Sequence, residues 1–244
     1  MKLTSKIFIT GEIVLQTGTH IGGSKSALDI GGVDLNVIKS PSGMPFLPGS
    51  SLKGKLRSLL ARTEGSIAVN RRDLKREERG DTGITTDEDV PFILQIFGSS
   101  GDANDQKGEV TRLLVRDALL DDVHFKATFD AETLELSFSE IKWENRINRR
   151  TGTAQDPRQL ERVPAGAKFN FEMVYDVYEG DNYERNLEKL LLGMRLLQDD
   201  YLGGHGSRGY GKISFENVQF SERSVEAFYA ANASEGKVLE NYQL

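Results

Sequence analysis

The stretch "GTHIGGSKSALDIGGVDLNVI", Gly18 to Ile38, gathers residue types that act on phosphates. Gly18, four residues, then Gly23 begins like a P-loop, and Lys25-Ser26 nearly completes one. That motif needs its lysine directly after the last glycine and a helix behind it, whose N-terminal amides face the phosphate. Here Ser24 intervenes, and "ALDIGGVDLNVI" brings two more glycines and no helical pattern. The spacing speaks against a nucleoside triphosphate site. Asp29 and Asp34 are the other candidates in the loop. A carboxylate there could ligate a hard cation such as Mg²⁺ or accept a proton from a 2′-hydroxyl. Aspartate is equally at home in turns, so spacing alone leaves both residues open. His20 is either a phosphate donor or a structural residue.

Two further constellations carry charge. "PFLPGSSLKGKLRSLL" reads as a helix start, with Ser50 or Ser51 as N-cap. Free amides and the positive end of the helix dipole attract an anion there. Lys53 and Arg57, four apart, share one face, with Lys55 more oblique. The second constellation, "LGGHGSRGYGK", places His205, Arg208, Tyr210 and Lys212 among glycines that let backbone approach a ligand closely.

The elements that must position these residues follow from periodicity. "KIFITGEIVLQTG" alternates as a half-buried strand does. "LKGKLRSLLART" follows with Leu52, Leu56, Leu59 and Leu60 at helical spacing. From about residue 64 to 108 the chain is charged and Gly/Asp-rich, with one short apolar piece, "VPFILQIFG", and reads as an insertion. "TRLLVRDALL", "LELSFSEIKWENRIN" and "KFNFEMVYDVYEG" have strand character, the last two separated by the basic, turn-rich "RRTGTAQDPRQLERVPAGA". "NYERNLEKLLLGMRLLQDDY" is an amphipathic helix and "GKISFENVQF" a closing strand. The order predicts an α+β fold, an embellished βαββαβ pattern of the ferredoxin-like, RRM-like kind. None of the strands carries the Gly-aromatic signature of the RNA recognition motif, so any RNA would be held by loops and a helix end.

Composition bounds the setting. The chain has 244 residues, a formal net charge of −6 and no cysteine. Thiol chemistry and Cys-based zinc sites are excluded. No apolar run approaches membrane-spanning length, and a cytoplasmic protein with no membrane partner is expected. The net charge argues mildly against nucleic acid. However, residues 53–79 hold nine basic against four acidic side chains, and 142–168 hold seven against three. Local clusters govern phosphate binding more than the sum does.

The two Gly-rich loops and "PFLPGSSLKGKLRSLL", in this order, resemble the repeat-associated (RAMP) superfamily of CRISPR proteins. The closer likeness is to the backbone subunits of type III-A (Csm) effectors, through "TGTHIGG", "GGVDLNVIKSPSGMPFLPGSSLKGKLRSLL" and "LGGHGSRGYGK". The resemblance implies a single RAMP domain over 1–244, with a lid insertion at about 64–108 and a thumb β-hairpin at about 143–166. It implies copies stacked head to tail along a guide CRISPR RNA, beside other Csm-type subunits. Guide contacts would fall on His20, Ser51, Lys53, Lys55, Arg57, Gly206 and Arg208, and thumb contacts on Arg146, Arg149 and Arg162. The family's catalytic aspartate maps to Asp34, not Asp29. Where the family often has a proline two positions on, this chain has Asn36.

The chemistry implied is cleavage of guide-paired target RNA at regular intervals, dependent on Mg²⁺ or another divalent cation. The target's own 2′-hydroxyl would attack, and Asp34 would hold the cation or position that hydroxyl. Three other readings stand beside it: a type III-B backbone subunit, a non-catalytic RNA scaffold, and a precursor-processing nuclease using His20 or His205.

Overall fold

The computed structural model describes residues 1–22, 35–65, 90–98, 110–130, 132, 134–230 and 236–244. Asp29 and Asp34 lie outside them, as does most of the 64–108 segment. Alternation in "LTSKIFITGEIVL" produces β1 (Leu3–Leu15), longer than its apolar stretch suggests. It is the central strand of an antiparallel sheet, between β7 (Lys168–Tyr178) and β8 (Ile213–Ser224). The sheet runs β2-β4-β7-β1-β8-β9, where β2 is Phe46–Leu47, β4 Ala118–Leu120 and β9 Lys237–Val238; β3 (Leu113–Val115) also pairs with β7. A separate two-stranded sheet of β5 (Glu140–Ile147) and β6 (Ala154–Arg162) forms a hairpin.

Two helices bury their apolar stripes against the sheet. α1 (Gly49–Thr63) buries Leu52, Leu56, Leu59 and Leu60, the expected set. α4 (Tyr183–Asp199) buries Leu187, Leu190, Leu191, Met194 and Leu197. They meet closely at Gly193, where a Cβ would lie 3.2 Å from the Leu60 side chain. The apolar piece of the expected insertion is a short helix, α2 (Pro91–Phe97), with Phe92, Ile93, Ile96 and Phe97 buried in the same core. Beneath it, Asn186 Nδ2 donates to the Tyr175 hydroxyl at 2.8 Å and to Gln95 at 3.0 Å. Burial pushes the Tyr175 phenol up to about 12, so it stays neutral in the core.

Several local expectations need correction. The α1 N-cap is Pro48, not Ser50 or Ser51, because the proline's extended backbone leads directly into the helix. "TRLLVRDALL" is two short strands rather than one. Between them Arg116 bonds back to Glu172 and Asp117 turns inward to accept the Gly49 amide at 2.8 Å. "LELSFSEIKWENRIN" is strand only from Glu140, because Leu136 and Ser139 close a tight turn before it. A helix not anticipated, α3 (Asp122–Thr128), starts where the Asp121 carboxylate caps His124 N–H at 2.9 Å.

Leu56, fully buried in α1, tests this core. Leu56→Ala should lower unfolding free energy by about 2–5 kcal/mol in urea titration.

Candidate nucleic-acid interface

The Gly18–Ile21 strip lies between the hairpin exit and the second Gly-rich loop. On one side Thr19 and Val163 exchange backbone hydrogen bonds at 2.9 Å. On the other, Gly204 N–H reaches the His20 carbonyl at 2.8 Å and Gly211 N–H reaches Gly18 at 3.2 Å. The approach is backbone to backbone: a Cβ on Gly203 would sit 2.4 Å from the His20 carbonyl oxygen. The start of the first Gly-rich loop, Gly18–Gly22, and the second Gly-rich loop, far apart in sequence, therefore form one surface. His20 is a stitch within it. Its ring is buried, with Nδ1 2.7 Å from the Glu161 carbonyl oxygen and the ring centroid 5.6 Å from that of His205.

Glu161 anchors the segment that resumes after Asp34. Its amide donates to the Leu35 carbonyl at 3.0 Å, and its carboxylate accepts Val37 N–H at 2.9 Å, Lys39 Nζ at 2.5 Å and the Ser139 hydroxyl. Val37 in turn bridges to Gly22, and Ile38 N–H bonds Ile21 at 2.9 Å. Gly22 and the 35–38 segment are thus pinned to one another, to β6 and to the His20 strip. Burial pushes the Glu161 carboxyl up, but the hydrogen bonds from Lys39, Ser139 and Val37 outweigh it and hold it below the usual carboxylate range.

The hairpin base meets the second Gly-rich loop through Glu144 and Tyr210. The Glu144 carboxylate draws Arg208 from the loop at 3.0 Å, Arg158 from β6 at 3.4 Å and Lys142 from its own strand at 3.7 Å. The Tyr210 ring is buried beneath them, with Lys142 Nζ 4.3 Å and the Arg162 guanidinium 5.3 Å from its centroid. Its hydroxyl lies beside the Glu144 carboxylate, outside ordinary hydrogen-bond geometry, and burial first, then that carboxylate, push its pKa up. Arg162 is also paired with Glu140 at 2.6 Å and packs over Gly18, where a Cβ would strike its side chain at 2.6 Å. Farther out, Arg146 pairs with Asp156 at 3.0 Å, both well exposed, and Arg149 stands exposed near the tip. Between these side chains lies a groove of about 910 Å³, lined by Arg146, Arg149, Arg158, Arg208 and Lys142 against Glu144 and Asp156.

The helix start is more enclosed than its sequence suggests. Lys53 does not lie on an outward basic face: it donates to Thr111 at 2.8 Å and to the Leu113 carbonyl at 2.7 Å. Burial, then the Arg57 charge, lower its pKa. Arg57 reaches the Gly98 carbonyl at 3.2 Å. Lys55 pairs with Asp200 at 3.1 Å and stacks 3.7 Å over the Tyr201 ring, which packs where a Gly206 Cβ would be. Lys55 thereby ties α1 to the second Gly-rich loop, whereas Lys53 and Arg57 face the 98–113 side. Ser51 is half-buried in the first turn.

The matching sequence family supplies the identity. The profile of the RAMP superfamily matches residues 12–214, most of the chain. The chain belongs to the RAMP superfamily. Similar members include a CRISPR system Cms endoribonuclease Csm3 of Methanocaldococcus jannaschii, 41% identical over 97% of this chain and 89% of that one. Another, from Methanothermobacter thermautotrophicus, is 39% identical over 96% and 93%. A third, from Streptococcus thermophilus, is 37% identical over 88% and 89%. Among solved structures, a Csm3–Csm4 subcomplex of the type III-A CRISPR-Cas interference complex aligns with TM-score 0.56 and 29% identity, over 98% of this chain and 92% of that one.

For this RAMP protein, sequence reasoning missed Glu161, Glu144, Lys142 and Arg158 as partners of the loops. Each sits in the hairpin strands, and only the pairing of Glu144 with Arg158 and of Lys142 with Leu160 brings them under the loops. No three His, Asp or Glu side chains gather as a metal cage among the described residues.

Glu161 gives a pH test. Its folded carboxyl titrates below its unfolded value, so its contribution is complete above the ordinary carboxylate range and is lost as pH falls through the lowered value. Glu161→Gln should cost about 1–3 kcal/mol near neutrality, with the gap to wild type closing in acid. Urea unfolding at stepped pH measures both.

Proposed function

We propose that the chain is the backbone subunit of a type III-A effector. In this reading it binds guide RNA across the joined Gly-rich loops, stacks with further copies of itself beside other Csm-type subunits, and cleaves guide-paired target RNA. The supporting observation is the hairpin's double attachment. Glu144 ties it to the Arg208 loop, and Glu161 ties it to the residues directly after Asp34. RNA held on the loops would then lie beside both a wedge and a carboxylate. Trp143 and Ile147 supply the wedge: they share one face of β5 and are 62% and 55% exposed. The β4-β7-β1-β8 order, with α1 and α4 packed together, supports a ferredoxin-like core. The hairpin then corresponds to the thumb, and 64–108 to the lid.

In the reaction, the 2′-hydroxyl oxygen of the target attacks the adjacent phosphorus and loses its proton. The bond to the next nucleotide's 5′-oxygen breaks, leaving a 2′,3′-cyclic phosphate and a protonated 5′-hydroxyl. Asp34 would position that hydroxyl or hold the divalent ion. Mg²⁺ is satisfied by one or two carboxylates with phosphate oxygens and water, so Asp34 with RNA is a suitable donor set. A bound cation would neutralise charge on the phosphate. The kink imposed by Trp143 and Ile147 would bring the backbone toward in-line geometry, so much of the catalysis is positioning. His20 fits a structural role here better than that of a processing nuclease's base, because its ring is buried and committed to the Glu161 carbonyl.

In the complex assembled in the cytoplasm or from purified parts, Asp34→Ala should preserve target binding and lower cleavage by at least about 100-fold. Wild-type cuts should recur at one regular interval and stop on chelation with EDTA. Full-rate cutting by the variant would refute the assignment to Asp34.

A further inference from the structure

Glu144 presents an unusual arrangement for a protein that must receive phosphates. Its carboxylate is largely buried, its side chain about 10% exposed. It is approached by cations from three segments: Arg208 on the Gly-rich loop, Arg158 on β6 and Lys142 on β5. These same cations line the groove between hairpin and loop. The buried Tyr210 hydroxyl lies beside the same carboxylate, short of a well-formed hydrogen bond to it. Three converging cations and an unsatisfied hydroxyl describe a site for an anion with more oxygens than a carboxylate has.

We propose that Glu144 is an intramolecular stand-in for an RNA phosphate. Without RNA it neutralises Arg208, Arg158 and Lys142. A backbone phosphate must displace it to engage them and the Tyr210 hydroxyl. The proposal rests on the RNA-binding reading above and adds a gate to it. Because the displaced carboxylate opposes entry, RNA held only by this groove binds poorly. RNA engaged along the loops as well can meet the cost. This fits an acidic protein that carries a basic groove and must ignore most RNA it meets.

The test uses the purified full chain, wild type and Glu144→Gln, with fluorescent oligouridylate titrated over a range of KCl. Freed of the competing charge, the variant should bind roughly fivefold tighter, and its log K against log salt should steepen by about 0.7, one further single-strand phosphate contact. In an Arg208→Gln background the gain should shrink, since Arg208 is the closest of the released cations. Unchanged or weaker binding by Glu144→Gln would overturn the proposal, making the carboxylate a scaffold for the cations. So would a gain undiminished by Arg208→Gln, which would be a long-range charge effect. If Glu144→Gln fails to fold by circular dichroism, Glu144→Asp replaces it: the retracted carboxylate should give a smaller gain, and none would refute the idea. Wild-type protein that binds no RNA at all would instead sink the RNA-binding reading itself.

Discussion

The buried carboxylate of Glu161 joins three parts of the chain. It gathers the 35–39 arm, the Ser139 turn and the hairpin exit, and its own backbone bonds the arm and His20. A buried charge of this kind is tolerable only when its hydrogen bonds are complete. Here a backbone amide, a hydroxyl and an ammonium complete them, so the arm cannot leave without stranding a charge. The surface built from Gly18–Gly22 and the second Gly-rich loop depends on that requirement.

A second pattern runs through the surface. Among the described residues, several cations that could meet nucleic acid already hold one of the protein's own acids: Lys55 with Asp200, Arg146 with Asp156, Arg162 with Glu140, Arg208 with Glu144. Even the first amide of α1 is taken by Asp117. Such pairs near the surface are worth little each, which makes them exchangeable. The net charge of −6 therefore disguises a basic groove whose cations are matched locally rather than absent.

The long periodic elements were legible from sequence. α1 and α4 bury the leucines that their spacing announces, and β1, β7 and β8 alternate as written. What escaped notice depends on partners distant in the chain. Lys53 looked outward until Leu113, 60 residues on, supplied its acceptor. Glu144 and Glu161 look like ordinary polar positions of a hairpin until the loops fold over them. His20 and Arg208 were found from their glycine setting, but glycine spacing is silent about which carbonyl or carboxylate they meet. The choice of Asp34 over Asp29 rests on family resemblance alone, and both lie outside the described residues.

The hairpin is a sheet of its own, held over its lower half from Glu161 at the exit to Glu144 midway along β5. Eight residues of β5 at about 3.3 Å each make an arm of roughly 26 Å. It behaves as a lever: a tilt of about 5° at the base carries the tip about 2 Å, far enough to spoil alignment where about 1 Å can cost a hundredfold in rate. The bulge opposite Asn145, where Asp156 takes a left-handed φ of 54° and Pro157 cannot join the ladder, sets a fixed bend along that lever. Angular stiffness at the root, more than grip at the tip, is what such a part must be built for, and the buried Glu161 lies at that root.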